Sequence, residues 1–368
     1  MEFIFNNENC LVLLGVFFLS IITTVSGIGG GSIFIPYLIL TKDFDLLTCI
    51  PLAITIILAD CLIRMLLLFK MINPNKPERY LMDLTIGNII VPFDGLFSWV
   101  GIYLLLYLPN ILTVVMIIFL TILSMIKIGV TMLKECKSNK ENKVYPELDG
   151  IEMYHMEMKT QPVEVIEDRY FNLFLIIISV LLVGLFGFRE KFDNTSLEYW
   201  LMIGGNIIVL GIMCLLSGLY LTKQYKKRKE NRFVFVSSDI VWNKNNILSL
   251  GCLSSIAGIL STWLGLGGSS LITPILYYFE MKPEVISVSI GVSTLFSSLI
   301  SLLNFISSGN YLYSWGILLF ITSLLGSFIG IHLLKCILRY FRKGVISLLV
   351  IIVMIISVLS LITSKVIN

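Results

Sequence analysis

The feature that most constrains this chain is a ten-residue pattern that occurs twice. Gly27-Ile28-Gly29-Gly30-Gly31-Ser32-Ile33-Phe34-Ile35-Pro36 recurs 238 residues later as Gly265-Leu266-Gly267-Gly268-Ser269-Ser270-Leu271-Ile272-Thr273-Pro274. Gly27, Gly29, Gly30, Ser32 and Pro36 align without a gap with Gly265, Gly267, Gly268, Ser270 and Pro274. Each copy interrupts a strongly apolar run. A glycine costs about 1 kcal/mol in a helix interior, so a cluster of them marks a break. Backbone groups freed at a break find no partner in hydrocarbon and must face protein or a watery cavity. Gly-interrupted segments in corresponding positions of two halves are the sequence sign of a transport site.

Composition places the chain in a membrane. It is 57% hydrophobic and 14% charged, against about 25% charged residues in soluble domains. His155 and His332 lie far apart, and the seven cysteines form no CxxC pair. The sequence therefore offers no metal cluster, zinc site or disulfide framework. No catalytic, nucleotide-binding or nucleic-acid-binding motif stands out, so neither an enzyme nor a primary pump is expected, and no cofactor. The acidic start, with Glu2 and Glu8 and no basic residue, argues against a cleaved signal peptide.

A span needs about 20 apolar residues. Candidates are a broken stretch from Cys10 to Leu40, then Leu46 to Phe69, Leu81 to Leu106, Ile111 to Leu133, Tyr170 to Phe188 and Leu197 to Leu221. A second broken stretch, Ile247 to Phe279, precedes Val285 to Ile306, Leu312 to Leu334 and Gly344 to Thr363. The expected organisation is a first membrane repeat (1–133), a cytosolic polar loop (134–169), two linking helices (170–221), a basic cytosolic loop (222–246) and a second repeat (247–368). Lys and Arg near span ends set orientation. Lys223, Lys226, Lys227, Arg228, Lys229 and Arg232 place the 222–246 loop inside. Asn194-Thr195-Ser196, a glycosylation sequon, then falls outside. If the second broken stretch crossed once, Lys335, Arg339, Arg342 and Lys343 would fall outside. If it enters and returns, they fall inside. The charge rule favours a re-entrant hairpin. The expected fold is all-α: two inverted repeats, each a Gly-rich broken hairpin plus three spans, with two linking spans between them. Inverted repeats are a common build of secondary carriers.

The duplicated Gly-x-Gly-Gly-Gly/Ser-Ser stretch, with Pro four residues past the Ser in each repeat, resembles the TauE/SafE sulfite exporter family of membrane permeases. Val288-Ser289-Ile290-Gly291-Val292-Ser293-Thr294 is similar to that family's small-residue span. The first repeat departs from it, with Ala53, Thr55 and Ile56 opposite Gly291, Ser293 and Thr294. The resemblance implies export or uptake of small anions such as sulfite or sulfonates.

The candidate substrate contacts are the hairpin tips: Gly27, Gly29, Gly30, Gly31 and Ser32 in one, Gly265, Gly267, Gly268, Ser269 and Ser270 in the other. Glycine-rich turns and helix N-termini present amides to anions. The alternative is that these glycines only allow close helix packing. Pro36 and Pro274 are candidate hinges, and Thr55, Ser293 and Thr294 candidate hydroxyl contacts. Asp60 and Arg64 stand four apart within a span, where charges are costly and functional by default. Asp60 could carry a coupling proton and Arg64 could balance an anion; the bland alternative is a mutual ion pair. Asp94 is a weaker second candidate acid. The expected partners are a small anion, the bilayer and protons as coupling ion. An anion channel and a membrane scaffold or receptor on a degenerate carrier core stand as alternatives.

Overall fold

The computed structural model of the chain describes residues 7–26, 30–42, 44–70, 72–73, 76–80, 82–141, 169–187, 196–230, 240–279, 281, 283–340, 352, 354, 355, 358, 359 and 361. In order they form α1 (Asn7–Ser26), α2 (Gly31–Lys42), α3 (Leu46–Leu68), β1 (Ile72–Asn73), β2 (Lys76–Tyr80), α4 (Gly87–Tyr107) and α5 (Asn110–Glu141). There follow α6 (Arg169–Gly187), α7 (Leu197–Glu230), α8 (Lys244–Leu264), α9 (Gly268–Tyr278), α10 (Pro283–Ser307) and α11 (Tyr313–Tyr340). Eight of these helices are long and apolar enough to cross a membrane. The all-α expectation holds, with one small addition: an antiparallel hairpin pairs Ile72 with Tyr80.

Both broken stretches are helix–break–helix, with unequal limbs. α1 has 20 residues and α2 has 12; α8 has 21 and α9 has 11. At 1.5 Å per residue the first limb of each pair is long enough to cross the hydrocarbon and the second is not. The second break is built on backbone that favours glycine. Gly265 ends α8 at φ 63° with its amide on the Ser261 carbonyl at 2.9 Å, and Gly267 starts α9 at φ 73°. At the first break the amides of Ile33 and Phe34 both bond the Gly30 carbonyl at 2.9 Å, which starts α2. Pro36, Pro51, Pro92 and Pro274 each stand in the second turn of their helices. A missing amide is less disruptive there than farther along a helix.

Helix ends follow local polar chemistry. α4 begins at Gly87, later than hydropathy suggests, because Asp83 claims the preceding turn. Its carboxylate accepts from the Thr85 amide at 2.9 Å and the Thr85 hydroxyl at 2.6 Å. Asn243 caps α8, accepting from the Asn246 amide at 2.7 Å. α7 runs on to Glu230 through Lys227, Arg228 and Lys229, where cations complement the carbonyl end of the helix dipole.

α3 and α10 are the most buried spans, 72% and 83%, and form the centre of the molecule. They pack on each other; α11 also packs on α3, and α4 on α10. Around them α1 pairs with α11, and α8 with α4. These outer pairs share one register. A Cβ built on Gly330 of α11 would lie 3.0 Å from the Ile21 carbonyl oxygen and 3.3 Å from Thr24 Cβ. One built on Gly101 of α4 would meet the Ile259 carbonyl oxygen and Thr262 Cβ at 2.5 and 2.9 Å. Ile259 and Thr262 are the repeat counterparts of Ile21 and Thr24. Large apolar side chains remain exposed on the periphery, including Leu11 and Phe18 on α1, Leu181 on α6 and Leu215 on α7. Such faces suit contact with lipid tails.

Candidate functional site

The two glycine breaks touch. A side chain at Gly31 would run into the Gly265 carbonyl oxygen, and its Cβ would stand 2.5 Å from Leu266 Cα. Gly267 lies against Ile57 of α3 and Thr294 of α10, at 3.2 and 3.7 Å from where its Cβ would be. The breaks therefore meet at the α3/α10 centre, and glycine is required at Gly31 because backbone occupies the side-chain position.

Beside this junction is a narrow cavity of about 10 Å³, the volume open to a water's centre. Thr23, Thr24 and Gly30 line it from the first broken stretch, Ile57, Asp60, Cys61 and Arg64 from α3, and Ile290, Gly291 and Thr294 from α10. Of the residues singled out by sequence, Gly30, Asp60, Arg64 and Thr294 are thus brought together. The Arg64 guanidinium reaches the Thr24 carbonyl at 3.5 Å and makes no salt bridge with Asp60.

Asp60 is buried, and its partners are hydroxyls. Ser323 donates to Oδ1 at 2.5 Å and Thr23 to Oδ2 at 3.0 Å; Ser327 also donates to Oδ1. Ser20 in turn donates to Ser323 at 3.1 Å. Hydrogen bonds to an ionised group are each worth about 1.5–3 kcal/mol, so this cluster can hold a carboxylate without a cation against it. Thr23, Ser323 and Ser327 escaped sequence reasoning. The signal was there: two serines four apart in an otherwise apolar span put both hydroxyls on one helix face.

The other candidates sit elsewhere. Thr55 donates to the Pro51 carbonyl at 2.8 Å and pairs with the Tyr311 hydroxyl at 3.1 Å, away from the cavity lining. Ser32 is buried, and Ser270 bonds its own Gly267 carbonyl at 3.1 Å. Gly268 lies near Ser297, 3.1 Å from its Oγ to the position of a Cβ. Ser293 is fully buried, and neither its hydroxyl nor that of Thr294 finds a partner. Gly27 and Gly29 lie outside the described residues, as do the sequon asparagine and most of the last predicted span.

The sulfite exporter TauE/SafE family model matches residues 163–361, which take in both linking helices and most of the second repeat. The chain belongs to the sulfite exporter TauE/SafE family. Similar proteins cover the first repeat as well. Sulfite exporter TauE/SafE family protein 3 of Arabidopsis thaliana is 22% identical over 357 residues, 91% of this chain and 73% of that protein. Family proteins 1 and 2 of the same plant are 22% and 23% identical over 96% and 93% of this chain, and 82% and 80% of their own lengths. No solved structure matches the chain. With eight candidate spans among the described residues and this family membership, it is a multi-pass integral membrane protein of a transporter family. In this TauE/SafE chain the duplicated glycine signature and the cavity beside it are one place.

Proposed function

We propose that this chain is a secondary transporter of a small anion of the sulfite or organosulfonate type, working by proton-coupled alternating access. The observation that carries the reading is the junction of the two glycine breaks beside a cavity that holds Arg64 and the uncommitted hydroxyls of Thr24 and Thr294. A guanidinium and hydroxyl donors suit an oxyanion. α2 and α9 begin at this junction, and helix N-termini present free amides and partial positive charge. Sulfite is part of the names of its relatives, and the small cavity suits a compact anion once it widens.

Asp60 and Arg64 share the cavity with different roles. Arg64 offsets the charge of the anion, and Asp60, held by three hydroxyls, fixes α1, α3 and α11 around it. The recurrence of the Ile21–Gly330 contact as Ile259–Gly101 supports two repeats related by inverted topology, the arrangement that lets one repeat rock against the other.

The test is uptake of sulfite and a panel of small anions into vesicles reconstituted with the full chain, with and without a pH gradient. Saturable sulfite flux that Gly267→Val abolishes, with the protein still inserted, is the expected result. Absence of flux for every anion would end the transport reading. Non-saturating electrical current would replace the carrier by a channel.

A further inference from the structure

A second buried acid lies outside the cavity, and its surroundings are the reverse of those at Asp60. Asp94 of α4 is 1% exposed, and neither carboxyl oxygen completes a hydrogen bond. Ser297 of α10 stands beside it, and its hydroxyl is also without a partner. Gly258 of α8 leaves room for the acid: a side chain there would run into Asp94 Oδ1. Among the described residues no counter-charge faces it. The elements packed on α4 are α6, α7, α8 and α10. Between residues 170 and 187, 245 and 264, and 286 and 307 they carry no Asp, Glu, Lys, Arg or His. On α7 the charged residues are Glu198 at one end and Lys223 to Glu230 at the other. The other titratable side chains on these elements stand at their ends or are uncharged: Arg169 and Tyr170 at the start of α6, Lys244 at the start of α8, Glu284 at the start of α10, Cys252 on α8, and Tyr199, Cys214, Tyr220 and Tyr225 on α7. A lone carboxylate in such packing bears a desolvation cost of several kcal/mol with nothing to offset it.

The hydroxyls of Ser293, Thr294, Ser297 and Ser298 are all buried and all without a partner. Thr294 lines the cavity, and Ser297, one turn along, stands beside Asp94. The repeat register adds a second argument. Asp94 precedes Gly101 by seven positions, as Ser323 precedes Gly330. Ser298 holds the position of Asp60 in the second repeat. Each repeat seam therefore carries one acid facing serines, on opposite members of the helix pair. One acid is held by three hydroxyl donors; the other has Ser297 beside it and completes no hydrogen bond.

We propose that Asp94, and not Asp60, is the group that takes up and releases the coupling proton, with the α10 hydroxyls as its path to the cavity. The inference rests on the transport reading for its role, but not for its detection. Ser297 Oγ accepts a proton from the cavity side and passes its own to an Asp94 carboxyl oxygen; release reverses both transfers.

Two measurements on the reconstituted full chain test it. Infrared difference spectra between alkaline and acid pH are expected to show a buried protonated-carboxyl band that Asp94→Asn removes and Asp60→Asn leaves. A band that survives Asp94→Asn and disappears in Asp60→Asn would overturn the proposal. In vesicles, the ratio of pH-driven sulfite accumulation to sulfite counterflow is expected to fall about tenfold in Asp94→Asn, within the usual range of coupling between linked sites. Ser297→Ala, which removes one hydroxyl from a packed seam, is expected to lower the same ratio. An unchanged ratio in both variants would overturn the proposal. If wild-type vesicles carry no sulfite, the transport reading fails and the infrared band still decides whether Asp94 holds the proton.

Discussion

Gly31 lies against the backbone of Gly265, so that the two copies of the repeated motif, far apart in sequence, are in direct contact. The contact leaves no space for even a methyl group on Gly31. Gly31→Ala is expected to destabilise the protein by about 1–3 kcal/mol, the usual cost of overpacking. Gly211→Ala on α7 is the control, since nothing lies within 4 Å of that Cβ. It should be neutral or stabilising by up to about 1 kcal/mol. Thermal unfolding in detergent compares the two; equal responses would refute the contact.

Ser323 and Ser327 should matter chiefly through Asp60, although Ser323 also reaches the Ile56 carbonyl at 3.1 Å. Ser323→Ala is expected to cost about 1.5–3 kcal/mol, as expected for a hydrogen bond to a charged group. In an Asp60→Asn background the same change should cost distinctly less, giving a coupling energy in a double-mutant cycle. Additive effects would mean that the hydroxyl serves something other than the carboxylate.

Gly291 lines the cavity and has nothing within 4 Å of its Cβ position. Gly291→Ala should therefore narrow the cavity without a clash. Sulfite flux in vesicles is expected to fall while the unfolding temperature stays within a degree or two of wild type. A parallel fall in both would place the effect in the fold.

Arg169 ties the start of α6 to the β-hairpin. Its guanidinium sits 3.8 Å from the Tyr80 ring centre and 4.4 Å from that of Phe69, and donates to the Phe69 carbonyl at 2.9 Å. Arg169→Lys keeps the charge and loses the planar stack. A loss of about 1–2 kcal/mol is expected, together with faster trypsin cleavage after Arg79 as the hairpin loosens. An unchanged cleavage rate would show that the ring stack does not hold it.

The broken stretches were legible in the sequence because glycine clusters inside apolar runs have few other physical meanings. The unequal limbs were not, since hydropathy measures how apolar a run is and not where its hydrogen bonds stop. Nor was the start of α4, which a local claim by Asp83 on Thr85 sets back to Gly87. At the site, Asp60 and Arg64 stood out as charges in a span. Their relationship could not be read, because the partners of Asp60 come from α1 and α11, and Arg64 turns to a backbone carbonyl. An i, i+4 spacing shows which residues share a helix face, not what that face meets.

The contact between Gly31 and the Gly265–Leu266 backbone has a mechanical consequence. Peptide planes in mutual contact cannot interpenetrate, and neither Gly31 nor Gly265 has a side chain to fold aside. If the halves of the molecule swing, this point must serve as their fulcrum or slide as a bare bearing, and added bulk would jam it.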